Sequence, residues 1–73
     1  MKTFIVYTKE KGKIETDNSD DFIGLTYHRL DGPAYQRFYT NGQLAYVSYL
    51  VNGKYYTKSE YDAEIFKMKL ALL

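Results

Sequence analysis

The chain has 73 residues, a formal net charge of +1 and no cysteine. That length predicts one domain spanning residues 1–73. The missing thiols exclude a disulfide framework and any thiolate-ligated metal, and the near balance of charge removes a global attraction to nucleic acid or to an anionic membrane.

At the start of the chain the apolar run is only Phe4–Tyr7, and no small-residue cleavage site follows it. No stretch reaches the length of a membrane span. These features predict a cytoplasmic protein without a leader and without a membrane partner. Nine Tyr and four Phe supply the buried area that so short a chain needs.

Thr3 to Thr8 predicts a first strand, because Phe4, Ile5, Val6 and Tyr7 suit a pleated, half-buried surface. Lys9 to Asp21 is polar and reads as a long turn or mobile loop, with a brief pairing segment around Ile14. Phe22 to His28 predicts a second strand, since Ile23, Leu25 and Tyr27 alternate with Gly24, Thr26 and His28. Leu30-Asp31-Gly32-Pro33 then turns the chain, and Pro33, which has no N–H to donate, belongs at a strand end.

Ala34 to Thr40, Leu44 to Val51 and Lys54 to Tyr56 predict strands three, four and five. Asn41-Gly42 and Asn52-Gly53 join them, and Asn-Gly accepts the two positive φ angles of a type I′ hairpin turn. Thr57-Lys58-Ser59-Glu60 fits a capping box, and Tyr61, Ile65, Met68 and Leu72 recur at helical spacing, with Phe66 and Leu73 widening the stripe. The expected fold is α+β. It is an antiparallel β-meander of about five strands within residues 3–56, with one C-terminal amphipathic helix over residues 58–72 packed on one face.

The segment His28-Arg29-Leu30-Asp31-Gly32-Pro33-Ala34, followed by Tyr39, Asn41-Gly42, Tyr49 and Asn52-Gly53-Lys54, resembles a short β-hairpin repeat of phage and bacterial proteins. These repeats are grouped with MORN-type repeats and YwqK-type antitoxin-like proteins. The resemblance covers roughly residues 27–57 and contains one complete unit. It implies a small, often phage-encoded, non-enzymatic domain in which His28, Asp31, Gly32, Pro33, Asn41, Gly42, Asn52 and Gly53 form turns. It carries no catalytic residues over. A C-terminal helix in place of a second unit implies a capped sheet, not an open array.

His28, the only histidine, has no cysteine or second histidine as a partner, so a hydrogen bond across the turn is expected of it. Asp17-Asn18-Ser19-Asp20-Asp21 invites comparison with a calcium loop, but Phe22 and His28 stand where an EF-hand needs Gly and Glu. A solvated acidic loop is the simpler expectation. No phosphate loop, nucleophile–base pair or placed carboxylate pair is found, so neither enzymatic activity nor a cofactor is expected.

One helix covers one sheet face, so the other face should expose tyrosines. Tyr35, Arg37, Tyr39, Tyr46, Tyr49 and Tyr55 are the candidate partner-binding residues, because Tyr and Arg form interface hot spots. The leading expectation is a module that binds, and inhibits, a host enzyme or defence complex. Two alternatives are a nucleic-acid-binding module using Tyr stacking with Arg29, Arg37 and Lys54, and a structural homo-oligomer such as a homodimer.

Overall fold

The computed structural model describes residues 2–71. Its elements are β1 (Phe4–Thr8), β2 (Gly12–Thr16), a 3₁₀ turn (Ser19–Asp21), β3 (Tyr35–Phe38), β4 (Leu44–Val51), β5 (Lys54–Tyr56) and α1 (Lys58–Ala71). The strands form one open sheet in the order β2-β1-β3-β4-β5, and every neighbouring pair is antiparallel. The α+β class and the C-terminal helix are as expected. Residue 72, the expected helix end, and Leu73 lie outside the described residues.

The expected second strand, Phe22–His28, is not a strand. The expected loop instead contributes β2, which closes a hairpin onto β1 with Val6 opposite Ile14. Thr8 builds that turn: its hydroxyl accepts the Lys11 N–H at 3.0 Å and donates to the Gly12 carbonyl at 3.1 Å. The ladder is entered as soon as the turn closes, so the polarity of Lys13 and Glu15 is no obstacle at an exposed sheet edge.

Residues 26–29 and β3 do not lie side by side. They lie end to end in one row between β1 and β4. The Thr26 carbonyl accepts from Lys9 N–H, His28 N–H donates to the Tyr7 carbonyl, and Arg29 N–H donates to the Leu50 carbonyl. Ala34 resumes the row, donating to the Ser48 carbonyl at 2.9 Å and accepting from Tyr7 N–H at 2.8 Å. Residues 29–33 are therefore an outward excursion from a strand row, not a reversal.

Three contacts shape the excursion. The Arg29 guanidinium lies 3.8 Å from the centre of the Tyr7 ring, its Nε donates to Asp31 Oδ1 at 2.8 Å, and a terminal nitrogen donates to the Pro33 carbonyl at 3.2 Å. Asp31 is 86% exposed, so water screens the ion pair, and the stacking of the mostly buried Arg29 over Tyr7 is the larger contribution. A Cβ at position 32 would stand 2.9 Å from Arg29 Cζ, so Gly32 leaves the room in which the guanidinium folds back.

The two Asn-Gly turns differ. Asn52 has φ 52° and Gly53 φ 80°, as a type I′ turn requires. The first turn, also expected to be type I′, is not: only Gly42 is positive there, at φ 87°. Gly42 N–H donates to the Tyr39 carbonyl and Tyr39 N–H to the Gln43 carbonyl, which describes a type I turn followed by a left-handed glycine. The Asn41 side chain accepts the Gln43 N–H at 2.9 Å, and this bond does not require Asn41 to leave the right-handed region. A register shift between Arg37 and Phe38 accompanies the turn.

The capping box forms as expected: Thr57 Oγ1 accepts from Glu60 N–H at 3.2 Å and Glu60 Oε1 accepts from Thr57 N–H at 3.0 Å. Tyr61 is buried against Tyr49, with ring centres 4.9 Å apart. Its hydroxyl donates to the Arg29 carbonyl at 2.6 Å and accepts from Gly32 N–H at 3.1 Å. The helix thus holds the excursion of residues 29–33 against the sheet. Phe66 does not widen the buried stripe. It lies about 140° around the helix from Tyr61 at 100° per residue and is 62% exposed.

On the opposite face Phe22 is buried beneath the row break, 5.2 Å from Phe4 and 6.0 Å from Tyr35, ring centre to ring centre. Val6, fully buried, shares that face by register with Ile14 and Tyr35. The sheet therefore carries a small core on each side.

Two acids of the 17–21 loop tie it down. Asp17 Oδ1 accepts from the Thr3 N–H at 2.8 Å, and Asp21 accepts from the Thr16 hydroxyl. Backbone N–H donors hold the carboxyls of Glu10 (from Thr26), Asp17 (from Thr3) and Glu60 (from Thr57) below their ordinary range, and a hydrogen bond from Arg29 does the same for Asp31. A carboxyl more acidic when folded gives stability that is present above its unfolded pKa and lost as pH falls through its folded one. Urea midpoints should hold steady down to about pH 5 and fall below roughly pH 4. Glu10→Gln with Asp17→Asn should lower the neutral-pH midpoint and flatten the acid loss. Separately, Tyr61→Phe should cost about 1–3 kcal/mol in urea unfolding, because the Gly32 N–H and Arg29 carbonyl lose a buried partner.

Candidate functional site: an open tyrosine pocket

Alternation along β3 and β4 decides what the sheet displays. Arg37 is paired with Tyr46 and Tyr35 with Ser48, so these four side chains share a face. Leu50 follows on β4, and its pairing with Tyr55 brings β5 to the same face. Tyr27 arrives at the row break, its ring centre 5.9 Å from that of Tyr35. Tyr46 meets Tyr35 edge-on, also at 5.9 Å. Together these residues line an open pocket of about 300 Å³ with Ser48 buried at its floor.

The helix packs on the other face, against Tyr49. Four of the six candidate residues therefore meet: Tyr35, Arg37, Tyr46 and Tyr55. Tyr49 leaves the set because strand alternation turns it under α1, where the Lys58 ammonium also lies 5.7 Å from its ring centre. Tyr39 stands beyond the end of β3, 58% exposed beside the hairpin turn. Ser48 and Leu50 were readable as members from their even spacing with Tyr46. Tyr27 was not, because only the broken strand row brings it beside Tyr35.

The pocket's chemistry is limited. Tyr46 and Tyr55 are 50% and 59% exposed and form an upstanding aromatic wall. Burial, and secondarily the neighbouring Tyr35, push the Tyr27 phenol above its ordinary pKa, so it stays neutral. Arg37 is the one charged side chain of the lining. Arg29 is turned to the opposite face over Tyr7, and Lys54 lies 5.1 Å from the Tyr56 ring centre.

The turn residues of the repeat-like segment do structural tasks. His28 Nδ1 accepts the Asn52 N–H at 2.9 Å, so the imidazole joins the row break to the second Asn-Gly turn. Lys9 Nζ donates to Asn52 Oδ1 at 2.6 Å from the other side. Asp31 takes Arg29 as its partner, not His28. Among the described residues no helix is long and apolar enough to cross a membrane, and no group of three or more His, Asp or Glu is placed to hold a metal ion.

Comparison with protein-family models, with curated proteins and with solved structures finds no match.

The exposed wall and the buried core should separate by mutation. Phe22→Ala should cost about 3 kcal/mol or more in urea unfolding. Tyr46→Ala and Tyr55→Ala, with half or more of each side chain already in water, should each cost about 1 kcal/mol or less.

Proposed function

We propose that the protein is a non-enzymatic protein-binding module that takes an apolar or aromatic side chain of its partner into the tyrosine pocket. The observation that carries this reading is the pocket itself: concave, open and apolar, walled by Tyr35, Tyr46 and Tyr55, with Arg37 on its lining. A volume of about 300 Å³ suits one anchoring side chain better than a large ligand. Rigid, amphipathic tyrosines with an arginine beside them are the residues that concentrate binding energy at protein interfaces. The lining has no carboxylate, histidine or lysine to act as a general acid or base near neutral pH.

The nucleic-acid alternative loses support from the same geometry. It needs cations beside the stacking rings, and of Arg29, Arg37 and Lys54 only Arg37 lines the pocket. The resemblance of residues 27–57 to phage and bacterial repeats adds the class of partner to the proposal: a host enzyme or defence complex in the cytoplasm, inhibited by occupation of its surface.

A peptide-display selection on the native protein, counter-screened with the Tyr46→Ala/Tyr55→Ala double variant, tests the pocket. Selected peptides should share an apolar or aromatic anchor and bind the native chain at least about tenfold more tightly than the variant. Ligands that bind both proteins equally would overturn the assignment. Strong binding of single-stranded oligonucleotides that declines steeply with salt would favour the nucleic-acid reading instead.

A further inference from the structure

The helix α1 carries a second apolar stripe. Taken at 100° per residue, Ser59, Ala63, Phe66 and Leu70 fall within about 60° of one another, on the side away from Tyr61 and Met68. All four are exposed, and the two large ones, Phe66 and Leu70, have 62% and 52% of their surface in water. Among the described residues none buries this stripe; only Phe66 reaches the rim of a groove, the one between α1 and residues 30–33.

Its order is self-complementary. The small residues lie in the first half of the helix and the large ones in the second. When a second copy is laid antiparallel with the dyad between positions 64 and 65, Phe66 falls opposite Ala63 of the other copy, and Leu70 opposite Ser59. The flanking charges obey the same register. In an antiparallel pair each flank meets its own counterpart. On one flank Asp62 then meets Lys69, and on the other Glu60 meets Lys67. Both flanks therefore pair opposite charges, twice each by symmetry. A parallel pairing would instead set Phe66 against Phe66 and like charges at matching heights. The pairs that Asp62 and Lys67 make within the helix, to Lys58 and Glu64, are surface contacts of little weight and free to rearrange, and Glu60, which accepts the Thr57 N–H with Oε1, has its second carboxylate oxygen to offer.

We propose that this outer face of α1 is the seam of an isologous, antiparallel homodimer. The pocket on the opposite side of the sheet stays open in such a dimer, so each assembly presents two copies of it. Two-helix seams of this length are small, and the dimer is expected to be weak and concentration-dependent.

Sedimentation equilibrium over roughly two decades of concentration, up to about 1 mM, reads the association. The native chain should pass from monomer to dimer over this range. Phe66→Asp should raise the dissociation constant at least about tenfold with unchanged far-ultraviolet circular dichroism. Lys69→Asp should also weaken association, by placing like charges on one flank, and adding Asp62→Lys should restore it. The chain has no native cysteine, so single cysteines report orientation cleanly. Ser59→Cys should not cross-link to itself, because antiparallel copies set those positions about 16 Å apart along the axis, beyond disulfide reach. A chain that stays monomeric throughout, a dimer indifferent to Phe66→Asp and to the charge exchange, or ready self-linking of Ser59→Cys would each overturn the proposal.

Discussion

The rest of the structure depends on how residues 29–33 leave their strand row and are held outside it. Backbone groups on either side of the excursion stay in the ladder: His28 and Arg29 before it, Ala34 after it. The excursion itself has few ladder partners, so side chains must supply them. Arg29 folds back over Tyr7 and reaches the Pro33 carbonyl, while the Tyr61 hydroxyl takes one donor and one acceptor of the loop. That hydroxyl joins the first turn of α1 to the sheet. Unsatisfied, the buried groups would each cost as much as a lost hydrogen bond.

From this follows the division of the two faces. With the helix and the excursion on the Tyr49 side, the opposite side is left to Phe22 and the tyrosines. Phe22 roofs the β1 end of that face and stops there. Toward β4 and β5 no element among the described residues follows, and the pocket between Tyr27, Tyr46 and Tyr55 is the consequence. The site is thus a product of incomplete coverage: the only α-helix among the described residues is committed to the other face. Its own outer stripe, Phe66 and Leu70, is left bare for the same reason.

Much of this was legible in the residues. The β4–β5 hairpin follows from Asn52-Gly53, the helix start from Thr57 and Glu60, and the shared face of Tyr35 with Arg37, and of Tyr46 with Ser48 and Leu50, from alternation along each strand. The errors lie where local pattern and long-range pairing disagree. Residues 22–28 alternate as a strand would, yet Phe22 gains more by burial against Phe4 and Tyr35 than by pairing, and Gly24 bends the chain at φ 80°. Lys13 and Glu15 look like loop residues, yet at a sheet edge polarity costs a strand nothing. Phe66 joins the buried stripe only if the sheet reaches that far around the helix, and it does not.

The sequence by itself determined the elements that local chemistry can specify: the class of fold, the places of the two Asn-Gly turns, the capped helix and the two-sided display of tyrosine. These depend on φ preferences, hydrogen bonds within a few residues and the period of the side chains. Only the tertiary structure decided that Tyr27 continues the row of β3, that Arg29 and Lys54 turn away from the pocket, and that α1 covers Tyr49 instead of Tyr46. Each of those outcomes rests on contacts between residues far apart in the chain, such as Tyr61 with Arg29 and Asn52 with His28. The motif His28 to Ala34 supplies one end of each such contact but does not reveal the partner. It states how the chain must turn, and the packing of Tyr7, Tyr61 and Asn52 around it states where.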